Sequence, residues 1–563
     1  MILLLALGAM LSLAVVVPLV VGRLGRDTGY LLAAGFLGVG LLLASAAPTV
    51  LGGDAVTVSW SWLPSLGVSL SLRLDGLAAL FCLLVLGVGA LIMGYCPRYL
   101  GQDDPHSAVY ALLTLFAASM LGLVLADDLV LLYVFWELTT VCSFFLITTA
   151  GARATKPGGR ALMVTAAGGL ALLVALILII LVSGTTDLAT VLAEPERILA
   201  SPLAGPIGAL IIVAAFTKSA QLPFSFWLPG AMVAMTPVSA YLHAATMVKA
   251  GIYLLMRFTP MFAERPVWSG VLVVVGLLTA VVGAVLALRE HDLKAILAQS
   301  TVSQLGLLVA AIGVGTATAL AAAVLHTAAH ALFKATLFML VGIIDREAGS
   351  RDIRELSGLR RAMPVTAALT GLAGLSMAGV PPLIGFISKE SLFEGFLDAD
   401  FAPGAGPVAA VLAVTASALT FAYGTRIFFG AFGGTLRQSN LYEPAPAFLI
   451  PVAVSALAGV VLGPGVALLN PVAARAVADI APSAVPPEFT LWHGLSPELL
   501  MSVITIAVGL ALYFGRDPVD RRLQRLRVPD GAALFDRGQD AVLRFGAIIG
   551  HPDRTDSPAA VLW

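Results

Sequence analysis

The sequence predicts an all-α polytopic membrane protein with about 14–15 transmembrane helices. Of its 563 residues, 59% are hydrophobic and only 12% are charged, and its mean hydropathy is +0.97. A soluble domain carries about 25% charged residues. The apolar residues also come in runs of about 20, the length that an α-helix needs to cross a bilayer. Lipid is therefore the expected solvent for most of the chain.

The apolar runs define fifteen expected spans. The first begins at residue 1 and lacks the basic start and small-residue cleavage site of a signal peptide, so we expect it to remain as a membrane helix. Proline interrupts the seventh and twelfth spans. The fifteen spans are 1–21, 30–51, 72–95, 108–126, 129–150, 161–183, 204–222, 238–258, 268–288, 293–313, 317–344, 364–386, 406–430, 447–468 and 497–515.

The distribution of Lys and Arg between the loops predicts the orientation, because loops on the cytoplasmic side carry the excess of these residues. With the N-terminus outside and the C-terminus inside, the inner loops hold fourteen and the outer loops four. The inner residues are Arg23, Arg26, Arg98, Arg153, Lys156, Arg160, Arg289, Lys294, Arg346, Arg351, Arg354, Arg360, Arg361 and Arg437. The outer residues are Arg197, Arg257, Arg265 and Arg475.

The sequence offers no features of redox, nucleotide or metal chemistry. Its three cysteines, Cys82, Cys96 and Cys142, lie in or beside apolar segments without a CxxC spacing, which is typical of small core residues. There is no glycine-rich phosphate loop and no haem or iron–sulfur motif. The net charge of −1 and the lack of a basic run give no indication of nucleic-acid binding. We therefore expect no cofactor and no metal.

Two blocks of five helices, 108–258 and 268–430, each contain one proline-broken helix near the end. The breaks are at Pro223 in the first block and at Pro381 and Pro382 in the second. An odd number of helices makes successive blocks enter the membrane from opposite sides, so this pattern predicts two inverted repeats. The remaining expected parts are N-terminal helices in 1–107, C-terminal helices in 431–515 and a basic amphipathic tail at the inner surface in 516–563.

Two charged residues in the first block are candidates for proton transfer. Glu137 stands in the middle of the fifth span with about eight apolar neighbours on either side. Lys218 stands five residues before Pro223, where the broken helix frees backbone carbonyls. A lysine at bilayer depth costs about 2.5–3.5 kcal/mol on insertion scales, so it usually has a partner. We expect Glu137 and Lys218 to form a charge pair that acts as a switch.

The eighth span carries Lys249 and His243. Lys249 is the twelfth residue of a span of about 21, which is too deep for its side chain to reach the interface easily. His243, six residues earlier, lies on a different face of the helix, from which it can hydrogen-bond a water chain between the lysines. The alternative for His243 is a core histidine whose hydrogen bonds are satisfied.

The eleventh span carries His326, His330 and Lys334 at i, i+4 and i+8, so the three form one stripe along a helix. An HxxxH spacing can bind zinc, but the glutamate of the HExxH motif and a third ligand are both missing. A water-lined stripe that passes protons is the interpretation that we favour.

Three further charged residues have more than one interpretation. Lys389 follows the second broken helix and is either a membrane-embedded proton carrier or a surface lysine at the end of a span. Lys294, at a helix start, fits a plain interfacial charge. Asp75 opens the third span and fits a helix N-cap.

Residues 70–430 contain six motifs: FWEL, FTKSAQLPFSFWLP, TPVSAYLHAATMVKAGIYLL, LKAILAQSTVSQLG, HALFKATLFMLVGIID and GVPPLIGFISKE. Together they resemble the antiporter-like subunits of respiratory complex I and of Mrp-type multisubunit sodium/proton antiporters. Lys249 within TMVKAG and the run GIIDREAGSRDIREL favour the MrpA (MnhA) family over the large complex I subunit.

This resemblance implies a proton-conducting subunit of a sodium/proton antiporter in the bacterial cell membrane, a secondary transporter rather than an enzyme, with other Mrp subunits as partners. It implies roles along a polar axis through the membrane. The first unit would use Glu137 and Lys218, the link would use Lys249 and His243, and the second unit would use His326, His330, Lys334 and Lys389. The alternatives are a proton-pumping subunit of complex I or a related hydrogenase, and a subunit for inorganic-carbon uptake.

The chain departs from the family at the inner mouth of the first unit. The family usually reads LPDAMEAPTP there, whereas this chain reads LPGAMVAMTP, with Gly230 and Val233 in place of two carboxylates. Members of the MrpA family are also usually much longer, with further C-terminal helices.

Overall fold

The computed structural model describes residues 1–437, 441–492, 494–525 and 528–549, and the end of the expected tail, 550–563, lies outside these ranges. Of the described residues, 78% are helical and 4% lie in strands, which confirms the predicted all-α polytopic fold. Its N-terminal part contains α1 (Ile2–Leu24), α2 (Thr28–Ala44), α3 (Ala47–Leu51), β1 (Val56–Leu63), β2 (Val68–Leu74) and α4 (Gly76–Tyr99).

The helices of the first block run from α5 to α13. They are α5 (His106–Leu125), α6 (Leu129–Thr148), α7 (Thr155–Ser183), α8 (Leu188–Ala193), α9 (Pro195–Leu199), α10 (Ala204–Lys218), α11 (Trp227–Gly230), α12 (Thr236–Ala244) and α13 (Met247–Phe262).

The second block and the C-terminal part hold the remaining helices. The second block has α14 (Pro266–Arg289), α15 (Leu293–Val314), α16 (Ala317–Ala348), α17 (Pro364–Ala378), α18 (Ile384–Leu397) and α19 (Ala405–Phe432). The C-terminal part has α20 (Pro446–Val461), α21 (Asn470–Ile480), α22 (Pro497–Phe514), α23 (Arg516–Arg525) and α24 (Gly531–Ile549).

Within the described ranges, eleven helical stretches are long and apolar enough to cross a membrane, and the bent pair of α20 with Val466–Ile480 makes a twelfth. One of these stretches, Ile2–Ala44, holds two expected spans because the chain folds back near Gly25 and brings Leu13 against Gly35. The two expected spans that remain are the interrupted ones, the seventh and the twelfth. Their first halves, α10 and α17, are each 15 residues long.

The break in the first block follows α10. Ala220 has a φ of 50°, in the left-handed region that favours glycine, and the Gln221 N–H donates to the Phe216 carbonyl at 2.9 Å. A hydrogen bond from an N–H to the carbonyl five residues earlier is typical of a helix C-terminal motif. It satisfies a carbonyl in the last turn of α10 that would otherwise lack a partner. Pro223 follows and prevents the helix from continuing.

The break in the second block repeats this arrangement. After α17, Gly379 has a φ of 80°, and the Val380 N–H donates to the Leu375 carbonyl at 3.0 Å. Pro382 stands three residues after the positive-φ residue, as Pro223 does in the first block. The two breaks therefore have the same local conformation.

Helix α18 corrects one expected boundary. The twelfth span was expected to end at residue 386, but α18 continues to Leu397. Lys389 therefore lies inside this half-helix, with 3% of its surface exposed, and is not a surface lysine.

The eighth span is also interrupted, a break that was not predicted from the sequence. Helix α12 ends at Ala244 and α13 begins at Met247. Thr246 bridges them with a φ of −128° and a ψ of −95°, and its hydroxyl donates to the Tyr241 carbonyl at 2.7 Å. His243 and Lys249 therefore lie on separate helices.

The two faces of the bundle are marked by different elements. The antiparallel hairpin β1–β2, with Val56 opposite Leu74, lies on what we call the hairpin face. Helix α24 lies on the opposite side, the tail face, where Phe535 packs on Phe226 with ring centroids 5.5 Å apart. Asp536 of α24 pairs there with Lys156 at 2.6 Å and with Arg160 at 2.6 Å.

Candidate functional site

Most of the predicted site residues are buried in the interior of the bundle. We call the whole set the buried polar axis. Lys218, Lys249, His326, His330 and Lys334 are 0% exposed, His243 is 1% exposed, Lys389 is 3% exposed, and Glu137 is partly buried.

Lys218 ends α10 and reaches across to α6. Its Nζ donates to the Trp136 carbonyl at 3.1 Å and to the Thr139 hydroxyl, and it lies 4.8 Å from the centre of the Trp136 ring. These groups flank Glu137 on the same helix, and the two charges are close enough to interact electrostatically. The lysine and the glutamate are therefore neighbours, but Lys218 is held by α6 itself rather than by a direct ion pair.

Glu137 projects from α6 towards α7. Its Oε1 is buried and has no hydrogen-bond partner within the described residues. A Cβ placed on Gly169 of α7 would lie 1.7 Å from this oxygen. The glycine thus creates the space that the carboxylate occupies.

His243 continues the axis at the end of α12. Its ring lies between Trp227 and Phe338, with centroid distances of 6.2 Å and 6.4 Å. The indole of Trp227 donates to the Thr217 carbonyl, next to Lys218, at 2.8 Å. The His243 Nδ1 is buried and has no hydrogen-bond partner in the described part of the chain.

Lys249 joins the two blocks directly. Its Nζ donates at 2.7 Å to the carbonyl of Thr327, which lies on α16 of the second block. The α12–α13 break positions this lysine at the start of α13. The Ser219 hydroxyl, which follows α10, donates to the Val248 carbonyl at 2.7 Å. This hydrogen bond connects the end of α10 to the start of α13.

The stripe on α16 is formed as predicted. His326 has Ser388 at 3.1 Å from Nδ1 and Gln304 at 3.0 Å from Nε2, so both ring nitrogens are engaged by polar side chains. His330 lies one turn further on, with its ring 6.4 Å from that of His326. Neither nitrogen of His330 has a well-formed hydrogen bond within the described residues, although the Ala244 carbonyl is close by.

The two lysines of the second block end the axis. Lys334 donates to the Ser300 hydroxyl and to the Leu297 carbonyl, the latter at 3.3 Å. Lys389 donates to the Ala378 carbonyl, at the end of α17, at 3.3 Å. Each therefore rests on neutral acceptors, and Lys389 uses a carbonyl that the broken helix leaves free.

Lys294 has a different position from the expected interfacial one. It is 1% exposed, and its Nζ donates to the Met232 carbonyl at 3.0 Å and to the Ala234 carbonyl. These carbonyls belong to the segment in which the two family carboxylates are missing. Val233 in that segment is 42% exposed. A buried lysine thus lies directly behind the segment that contains Gly230 and Val233.

A second charged cluster lies on the hairpin face. We call it the arginine–aspartate cavity, and its volume is about 370 Å³. Its charged residues are Arg73, Asp75, Asp127, Arg257, Arg475 and Asp479.

Asp75 and Arg257 form its central ion pair. Asp75 accepts from the Ala78 N–H at 2.9 Å, which confirms the expected N-cap. It also accepts from Nη1 and Nη2 of Arg257 at 2.6 Å and 3.0 Å. Arg257 is only 6% exposed, so its assignment to an outer loop was wrong.

Asp127, in the arginine–aspartate cavity, makes the stability of the fold depend on pH. The residue is 6% exposed, and burial raises the pKa of its carboxyl to about 6. Because the pKa is raised in the folded state, the folded protein holds this proton more tightly than the unfolded chain. The resulting stabilisation is fully present below the ordinary aspartate pKa near 4, and it is lost as the pH rises through 6.

Asparagine cannot ionise, so Asp127→Asn should not lose stability in this way as the pH rises. Relative to the wild type, the variant should gain stability between pH 4 and pH 7 by an amount on the order of 3 kcal/mol. Thermal unfolding of both proteins at pH 4.5, 5.5 and 7 measures the change. A difference between them that is constant over this range would contradict the assignment.

Comparisons with known proteins give consistent matches. Residues 126–420 match the family described as NADH:quinone oxidoreductase/Mrp antiporter, TM, and residues 60–111 match the one described as NADH-Ubiquinone oxidoreductase (complex I), chain 5 N-terminus. The probable K(+)/H(+) antiporter A/B subunit of Rhizobium meliloti (strain 1021) is 42% identical over 485 residues, covering 84% of this chain and 48% of that protein. The Na(+)/H(+) antiporter A1 subunit of Staphylococcus haemolyticus (strain JCSC1435) is 39% identical over 494 residues, covering 83% and 62%.

Solved structures are also similar over the whole chain. A chain of the Mrp complex from Dietzia sp. DQ12-45-1b matches with a TM-score of 0.95 and 49% identity, covering 100% of this chain and 61% of that chain. The chain thus spans about half to two thirds of the length of these relatives.

Proposed function

The chain belongs to the NADH:quinone oxidoreductase/Mrp antiporter transmembrane family, and from that premise we propose that it is a proton-conducting subunit of a multisubunit monovalent cation/proton antiporter. Relatives named as MnhA-type antiporter subunits confirm the predicted resemblance to the MrpA (MnhA) family. On this proposal the protein is a secondary transporter and not an enzyme.

The observation that carries the proposal is the contact between Lys249 and the Thr327 carbonyl at 2.7 Å. It connects the polar residues of the first block to the histidine stripe of α16 in the second. Intramembrane ionisable residues are costly and mark ion or proton paths, and a continuous series across two repeats fits a path rather than isolated structural pairs.

The proposed mechanism passes protons along the buried polar axis. Like charges in a low-dielectric interior repel, so a proton that leaves one lysine favours protonation of the next. Glu137 stabilises the protonated form of Lys218, and any displacement of the carboxylate weakens that attraction. Glu137 and Lys218 therefore form the charge switch, Lys249 and His243 the link, and His326, His330, Lys334 and Lys389 the second half of the path.

The partners of this protein are proposed from its relatives. The printed names describe multisubunit antiporters and an Mrp complex, so we propose that the chain works with other Mrp subunits in a bacterial cell membrane. We also propose that the tail face is cytoplasmic, because the fourteen basic residues of the predicted inner loops favour that side.

Cation-dependent proton flux tests the proposal. Inverted membrane vesicles that contain the intact complex should show proton movement on addition of sodium, lithium or potassium, and the order of response identifies the coupled cation. The relatives name both potassium and sodium. Flux that requires a reduced electron donor instead would favour the second candidate, a subunit of a redox-driven pump, which the complex I description of the family also fits.

Gly169 offers a test of the switch with a matched control. A methyl group there would lie 1.7 Å from the Glu137 Oε1, and because that atom ends a flexible side chain, the carboxylate should move while the fold persists. We expect Gly169→Ala to lower proton flux by about tenfold, in the range for a misplaced reactive group. Gly159→Ala on the same helix, where a Cβ meets no atom within 4 Å, should leave flux unchanged. Equal flux in the two variants would contradict the role of Glu137.

A further inference from the structure

An apolar groove lies between α2 and α4 on the outer surface of the helix bundle. Its volume is about 320 Å³, within the roughly 300–1,000 Å³ range of small-ligand sites. Leu37, Leu41 and Leu83 line it and are 55%, 73% and 63% exposed, so the groove is open at the surface of the bundle.

The groove has the length of one membrane leaflet. It extends along α4 from Gly76 to Gly87. Eleven residues of helix span roughly 16 Å, about half of the hydrocarbon core. One acyl chain fits this depth.

A cation stands at the end of the groove where α4 begins. Arg475 lines both the groove and the arginine–aspartate cavity. Its side chain packs closely on Gly76, where a Cβ would lie 2.5 Å from the Arg475 Cγ. Its Nη2 donates to Asp479 at 3.1 Å, while its Nε is buried and has no partner in the described residues.

The acidic groups nearby leave this arginine incompletely satisfied. Asp75 is already engaged by Arg257 and Arg73, and Asp479 also accepts from the Leu77 N–H at 3.1 Å. Within the described residues, Arg475 therefore has one donor, its Nε, without a partner, and 23% of its side chain is exposed at the helix end. An amphipathic ligand with one anionic group and a hydrocarbon tail complements this combination.

We propose that the α2–α4 groove binds one anionic phospholipid, with an acyl chain in the groove and the phosphate on Arg475. A guanidinium forms charge-assisted hydrogen bonds with phosphate oxygens. The site uses no residue of the buried polar axis, so its failure would leave the proposed function intact.

Native mass spectrometry of the intact complex, with phosphatidylglycerol or phosphatidylcholine added, tests the site. The wild type should retain phosphatidylglycerol preferentially. Arg475→Gln should lower that retention by about tenfold, as expected for loss of a charge-assisted contact. Equal retention of the two lipids by the wild type would overturn the proposal.

Gly87→Leu tests the groove without altering the charged cluster. A Cβ at Gly87 meets no atom within 4 Å, so the leucine should fill the groove, displace the acyl chain and reduce retention similarly. Gly22→Leu on α1, which is equally open, is the control and should retain lipid normally. Wild-type retention in both Arg475→Gln and Gly87→Leu would overturn the proposal. Cross-linking of Leu83→Cys to another protein of the complex would do the same, because a protein would then cover the groove.

Discussion

Lys218→Met is expected to reduce cation-dependent proton flux by about a hundredfold, the lower end of the loss when a proton-transfer group is removed. Methionine keeps most of the volume of the side chain, so α10 should still pack on α6. What disappears is the protonatable amine between Trp136 and Thr139.

The control for Lys218→Met is Lys156→Met. The Lys156 side chain is 71% exposed on the tail face and pairs with Asp536, so its loss should leave flux within about twofold, as for a surface ion pair. Flux is measured in inverted vesicles with equal amounts of assembled complex. Full flux in Lys218→Met would mean that the chain is a scaffold of helices and that protons pass elsewhere.

Asp75→Ala is expected to destabilise the protein by about 3–5 kcal/mol, the usual cost of leaving one partner of a buried ion pair uncompensated. Burial alone would raise the pKa of Asp75, but Arg257 outweighs it and lowers the pKa to about 2. Arg257 has an 8% exposed side chain and would remain charged without its bidentate partner. Thermal unfolding of the purified complex measures the loss.

Two comparisons separate the buried charge from the general effect of truncation. The double variant Asp75→Ala, Arg257→Met should be more stable than Asp75→Ala alone, because it removes the uncompensated cation. Glu194→Ala breaks the exposed pair with Arg197, whose side chains are 57% and 58% exposed, and should cost less than about 1 kcal/mol. A similar cost for Asp75→Ala and Glu194→Ala would contradict a structural role for the buried pair.

The broken helices and the buried lysines were predictable because each has a local signal. Pro223 and Pro382 cannot continue a helix, and Lys218 and Lys249 interrupt long apolar runs. The structure has breaks at both prolines and buries both lysines. The hairpin Val56–Leu74 also had a local signal, which is the alternation of apolar and polar residues in TVSWSW before a turn that contains glycine. The prediction of helices alone did not include this hairpin.

The break between α12 and α13 had no such signal. The residues at the break are Ala245 and Thr246, neither of which disrupts a helix strongly. The break depends on contacts with distant parts of the chain, such as the hydrogen bond from Ser219 to the Val248 carbonyl. Local sequence preference cannot reveal a tertiary contact of this kind.

Pairings between residues that are distant in the chain could not be predicted from the sequence, because they also depend on tertiary contacts. Arg257 and Asp75 are 182 residues apart, and a loop position was the natural interpretation of an arginine near a span end. Lys294 likewise looked interfacial until its carbonyl acceptors 60 and 62 residues away were known. The direct charge pair expected of Glu137 and Lys218 is instead a pair of neighbours held by α6.

The link between the two blocks is the central claim, and Lys249→Met tests it most directly. In vesicles with normally assembled complex, we expect this variant to lose cation-dependent proton flux by at least about tenfold, because no protonatable group then joins His243 to the stripe on α16. Wild-type flux in Lys249→Met would contradict the account, since protons could not then be passing from the first block to the second through this residue.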